Sequence, residues 1–128
     1  MTRRIVYSII ESPTHPDFGA VYERLGLENV RLTTTRKAIA QLKERAPDYV
    51  VAEFFYGYGN NYAGVNISNL DVFLFSLQKY APDAKVIVLV DKSERQYVEK
   101  LDEILPLHAV LVLPVKTEEI EAALANRH

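Results

Sequence analysis

Five apolar runs of strand length recur along the chain, and each is followed by a segment whose apolar positions repeat at helical spacing. The first run, Ile5 to Ile10, stops at Glu11-Ser12-Pro13, and Pro13 and Pro16 enforce a loop through Asp17. Asp17 is placed to cap a helix carrying Phe18, Val21 and Leu25, which Gly26 then stops. Val30 to Thr34 reads as a second, short strand. Its threonines offer a cap for a helix with Ala38, Ile39, Leu42 and Ala46 on one face. The third run, within Pro47 to Gly57, ends in a carboxylate, three aromatics and a glycine: Glu53-Phe54-Phe55-Tyr56-Gly57. From Tyr58 to Asn66 no apolar period survives, which predicts a long loop.

Asn66 or Ser68 is expected to cap the third helix, with Ser68 and Asp71 at capping-box spacing. That helix turns Leu70, Phe73, Leu74 and Leu77 inward and ends near Tyr80, before Pro82. Val86 to Val90 is an unbroken aliphatic strand, followed by a helix capped by Ser93 with Tyr97, Leu101, Ile104 and Leu105 inside. Ala109 to Val115, interrupted by Pro114, is the fifth strand. Thr117 caps the last helix, with Glu118 and Glu119 at the positive end of its dipole and Ile120, Ala123 and Leu124 inside.

Strands that are apolar throughout, rather than alternating, belong in a parallel sheet covered on both faces. Five strand-helix repeats without an internal linker predict one domain over residues 1–128. The expected architecture is a three-layer α/β/α, flavodoxin-like fold with strand order 2-1-3-4-5.

Composition narrows the chemistry. The chain of 128 residues is 48% hydrophobic and 25% charged, a globular balance. It contains no cysteine, which removes thiol catalysis, thiolate metal sites and redox sensing. A formal net charge of -2 gives no general drive towards nucleic acid. No stretch approaches the roughly 18 apolar residues of a membrane span, and Met1-Thr2-Arg3-Arg4 before a short apolar run lacks the cleavage site of a signal peptide. A cytoplasmic protein contacting neither nucleic acid nor membrane is expected. The three histidines, His15, His108 and His128, stand apart from acids at ligand spacing, so no metal and no cofactor are expected. Neither a glycine-rich dinucleotide loop, nor a phosphate loop, nor a nucleophile elbow occurs. The cations Arg36, Lys37, Lys43 and Arg45 read as a solvated helix surface.

Two features remain for function. Glu53 ends the third strand, at the sheet edge where open α/β folds place their chemistry. Beyond it, Tyr56, Tyr58, Asn60, Asn61 and Tyr62 give the loop a composition suited to contact surfaces.

Pro47-Asp48-Tyr49-Val50-Val51-Ala52-Glu53 resembles the strand leading to the phosphoacceptor aspartate in receiver domains of two-component response regulators, the CheY-like superfamily. Val86 to Asp91 resembles that family's fourth strand, and Leu113-Pro114 with Thr117-Glu118-Glu119 its fifth strand and last helix. The resemblance covers nearly the whole chain and puts Glu53 at the acceptor position. It places Val90 at the conserved hydroxyl, Leu113 at the conserved lysine and Val110 at the switch aromatic. The two metal-binding acids fall on Ile9 and Ile10, or on Ile10 and Glu11. The resemblance thus implies a degenerate receiver whose acidic pocket is reduced to Glu11, Glu53 and Asp91. Phosphoryl transfer needs an aspartate nucleophile, a cation held by hard oxygens and donors for the phosphoryl oxygens, so no catalysis is expected.

The function expected is a stand-alone signalling module acting through a protein partner and as a homodimer. Its expected contact faces are the tyrosine loop and, as the resemblance implies, the surface from the fourth to the fifth helix. Glu53 either supplies a permanent negative charge or only ends its strand in solvent or against a helix N-terminus. The alternative from another class is a small-molecule or nucleotide sensor using a carboxyl-edge pocket of Glu11, Ser12, Glu53, Tyr56 and Asp91. A third reading keeps phosphoryl acceptance at another carboxylate.

Overall fold

The computed structural model describes residues 4–10, 18–56 and 70–125. Its strands are β1 (Arg4–Ile9), β2 (Leu27–Leu32), β3 (Tyr49–Glu53), β4 (Lys85–Val90) and β5 (Ala109–Val112). Among the described residues, four α-helices, α1 (Gly19–Arg24), α2 (Thr35–Leu42), α3 (Asp71–Tyr80) and α4 (Thr117–Ala125), and one 3₁₀ helix, Lys92–Glu103, connect and cover them. All four strand pairings are parallel, in the order β2-β1-β3-β4-β5. The predicted layering and strand order are therefore correct.

Alternation along the strands divides the core between the two sheet faces. Ile5, Tyr7, Ile9, Val50, Ala52, Val86, Val88 and Val90 pack against α2, α3 and the 3₁₀ helix. Val6, Tyr49, Val51, Ile87 and Leu89 pack against α1 and α4. Each face is closed by the residues that helical spacing marked: Phe73, Leu74 and Leu77 on one side, Val21, Ile120 and Leu124 on the other.

Several ends differ from the expected ones. β2 covers Leu27–Leu32 instead of running to Thr34, because the Thr34 hydroxyl caps α2 by accepting the Lys37 N–H at 3.1 Å. α2 stops at Leu42, so Ala46 lies outside it and is exposed. The segment after β4 is 3₁₀ and not α, and its cap is Asp91, whose carboxylate accepts the Ser93 N–H at 2.9 Å; Ser93 is the donor and not the cap. β5 ends at Val112, ahead of a cis peptide between Leu113 and Pro114. Thr117 is the first residue of α4 and not its cap. The Lys116 N–H before it is satisfied by Glu119 Oε1 at 3.0 Å, one half of a capping box. Gly26 stops α1 as expected, at φ 75° in the left-handed region. The proposed caps Asp17, Asn66 and Ser68 lie outside the described residues. No helix among the described residues is long and apolar enough to cross a membrane.

Candidate functional site at the carboxyl edge of the sheet

Strand register brings the predicted site residues to one edge. Glu53 pairs with Leu89, and the next residue, Phe54, donates its N–H to Leu89 O at 2.9 Å. The Leu113 N–H donates to Val90 O at 2.8 Å, which places the ends of β4 and β5 side by side. Glu53, Val90, Asp91 and Leu113 therefore do lie along one edge.

Their surroundings are not those of a solvent-facing acidic pocket. Glu53 is 3% exposed, so it does not end its strand in solvent. It follows Val51 at strand spacing, on the sheet face shared with α1 and α4, where Ile10, Leu111 and Leu113 pack partly buried against the core. Val90 is fully buried in the opposite face, and Val110 is half-buried against it. Asp91 is exposed and commits its carboxylate to both the backbone N–H and the hydroxyl of Ser93. Those hydrogen bonds, the hydroxyl's first, hold its pKa below the ordinary carboxylate range. The pocket expected at this edge therefore finds Glu53 buried and Asp91 occupied in capping; Glu11 and Ser12 lie outside the described residues. A surface cleft of about 300 Å³ opens at the other edge, at the amino ends of the strands, lined by Arg4, Asp48, Tyr49, Asp83 and Lys85.

No group of three or more metal-ligating side chains occurs among the described residues. His108 Nε2 lies 2.9 Å from Ala123 O, tying the residue before β5 to α4; His15 and His128 lie outside the described residues.

Of the tyrosine loop, Tyr56 is described, and Tyr58, Asn60, Asn61 and Tyr62 are not. Tyr56 is 47% exposed, and its ring stacks on Tyr97 with centroids 3.7 Å apart and planes inclined by 14°. Its N–H donates to Glu94 Oε1 at 3.0 Å. The 3₁₀ helix thus holds Tyr56 by one hydrogen bond to its backbone and one ring contact. Glu94 and Tyr97 were not distinguishable as site residues from the sequence. Helical spacing assigned Tyr97 to a core stripe, and nothing in the sequence aligned either residue with Tyr56.

Neither a protein-family model nor a curated protein sequence matches this chain. Solved structures do. A response regulator receiver domain protein from Clostridium thermocellum superposes with TM-score 0.71 and 17% identity, over 94% of this chain and 90% of that one. A CheY-like receiver domain protein from Methanospirillum hungatei JF-1 gives 0.75 and 11%, over 96% and 91%. The chemotaxis response regulator CheY4 of Vibrio cholerae gives 0.73 and 14%, over 96% and 97%. The fold is that of a receiver domain. At these identities the likeness carries the receiver fold alone; what its edge does rests on the residues this chain places there.

Proposed function

We propose that this chain is a receiver-like signalling module that works through protein contacts, self-association included, and accepts no phosphoryl group. The observation that carries the reading is the burial of Glu53, 3% exposed, on a face whose neighbouring edge positions are aliphatic. A carboxylate so placed is poorly situated for a phosphodonor in solvent, and its extra methylene displaces the oxygen from the in-line position an aspartate would occupy. Leu113 and Val90 stand where the receiver resemblance puts a lysine and a hydroxyl, and neither side chain can hydrogen-bond a phosphoryl oxygen. The protein would act in the cytoplasm, with no cofactor and without nucleic acid or membrane as partner.

Loss of phosphoryl chemistry moves the expected output to surfaces. Tyr56 is half-exposed and held by Glu94 and Tyr97, so a partner that contacts Tyr56 would also reach the 3₁₀ helix.

Incubation with magnesium and a small acyl phosphate, followed by intact-mass measurement, tests the reading. Unmodified protein is expected. A stoichiometric phosphoryl adduct overturns it, and peptide mapping then identifies the carboxylate that took the group.

A further inference from the structure

Helix α3 is the middle member of the layer that covers one sheet face. It packs on α2 on one side, and on the other its Gln78 Nε2 donates to Ile104 O at 2.9 Å, just past the 3₁₀ helix. Phe73, Leu74 and Leu77 are sealed inside. On the outer side, Val72 is 51% exposed and Phe75 56%, and at three-residue spacing they form one ridge. Tyr80, 39% exposed, extends the apolar surface at the helix end, with Lys79 Nζ 5.4 Å from its ring centroid. Tyr56 and Val112 are the other large apolar side chains that stand exposed among the described residues, and both lie on other elements. An apolar ridge at the centre of a charged layer marks a contact surface.

The flanking charges indicate what covers it. Around α2 the exposed charges are Arg36, Lys37 and Lys43 against Glu44, while Arg45 is paired with Glu28. The 3₁₀ helix carries Glu94, Glu99, Asp102 and Glu103 against Lys92, Arg95 and Lys100. One flank is net positive and the other net negative. We propose that a second copy of this chain docks on the α3 ridge, about a two-fold axis running along α3.

Under that symmetry each copy's α2 lies over the other's 3₁₀ helix, positive flank on negative flank. A two-fold axis across α3 would instead set α2 against α2, cation on cation. An isologous contact brings residues near the axis against their own copies, so Phe75 meets Phe75 and Val72 meets Val72. The inference rests on the self-association reading above and adds its face.

Sedimentation of the full chain over a concentration series is expected to show a monomer-dimer equilibrium. Phe75→Glu places a charge on the axis at a site already exposed, so the fold, checked by circular dichroism, is kept. The dissociation constant should rise at least about tenfold. Because the chain has no cysteine, Phe75→Cys provides a single thiol that should form a disulfide-linked dimer under mild oxidation, whereas Val112→Cys, on β5, should not. A monomer at every concentration overturns both this inference and the self-association reading. A dimer that tolerates Phe75→Glu, or that cross-links in Val112→Cys and not in Phe75→Cys, overturns the α3 face and leaves self-association standing.

Discussion

Tyr7 shows how one polar atom inside this core sets a pH limit. Its ring is fully buried between β1 and the α2 layer, and its hydroxyl donates to Arg45 O. Burial, the main cause, pushes its pKa up from 10.0 to about 12. The folded protein thus keeps the phenol proton where the unfolded chain releases it. The stability contributed is fully present below pH 10, falls as pH rises above 10 and is gone once pH passes about 12. Tyr7→Phe removes the ionisable group together with its hydrogen bond. The variant is expected to be less stable at neutral pH by about 1 kcal/mol. The gap should close, or reverse, as pH climbs from 10 towards 12. Urea denaturation of both proteins at several alkaline pH values checks this, and a constant gap would contradict the burial argument. The sequence shows Tyr7 as one member of an apolar run; its polar partner lies across the fold in the turn after α2, which no local pattern discloses.

At the scale of elements, apolar periodicity located all five strands and the helices between them, and it failed where side chains compete for backbone groups. Thr34 and Asp91 each cap the helix that follows, so β2 ends earlier than its threonines suggested and the segment after β4 begins at Lys92. Twelve residues from Lys92 form a 3₁₀ helix although their apolar spacing also suits an α-helix. Leu101 and, past the helix end, Leu105 face the core as the spacing marked them, but Val98, which it did not mark, is fully buried, while Tyr97 and Ile104 are only partly buried. The cross-element contacts are the part that spacing could not supply, and the Tyr56-Tyr97 stack is the clearest. A double-mutant cycle with Tyr56→Ala and Tyr97→Ala should give a coupling of about 0.5–1 kcal/mol in thermal or chemical denaturation. Glu94→Gln keeps an acceptor for the Tyr56 N–H and should change stability by less than either alanine. A coupling indistinguishable from zero would mean that Tyr56 is not held by the 3₁₀ helix.

For the whole molecule, the same sheet supplies both cores, and this decides how it should unfold. Val6 and Tyr7 are neighbours in β1, yet one faces the α1 and α4 layer and the other the α2 and α3 layer. A helix layer therefore cannot leave without exposing strands that the other layer also needs. The architecture was legible because non-alternating strands demand this two-sided cover; the burial of Glu53 was not, since this residue looks alike in sequence whether buried or solvated. Leu77, in α3, and Ile120, in α4, are both fully buried and lie on opposite faces. Leu77→Ala and Ile120→Ala should each cost about 2–5 kcal/mol, from lost transfer free energy plus the cavity left behind. If residues 1–128 are one cooperative domain, both variants shift the same transition, and far-ultraviolet circular dichroism and tyrosine fluorescence lose signal at one common midpoint. The denaturant slope should stay that of the parent protein, because the surface exposed on unfolding is unchanged. Separate midpoints for the two probes in either variant would show that the layers melt independently, and the single-domain reading would then give way to two coupled units sharing a sheet.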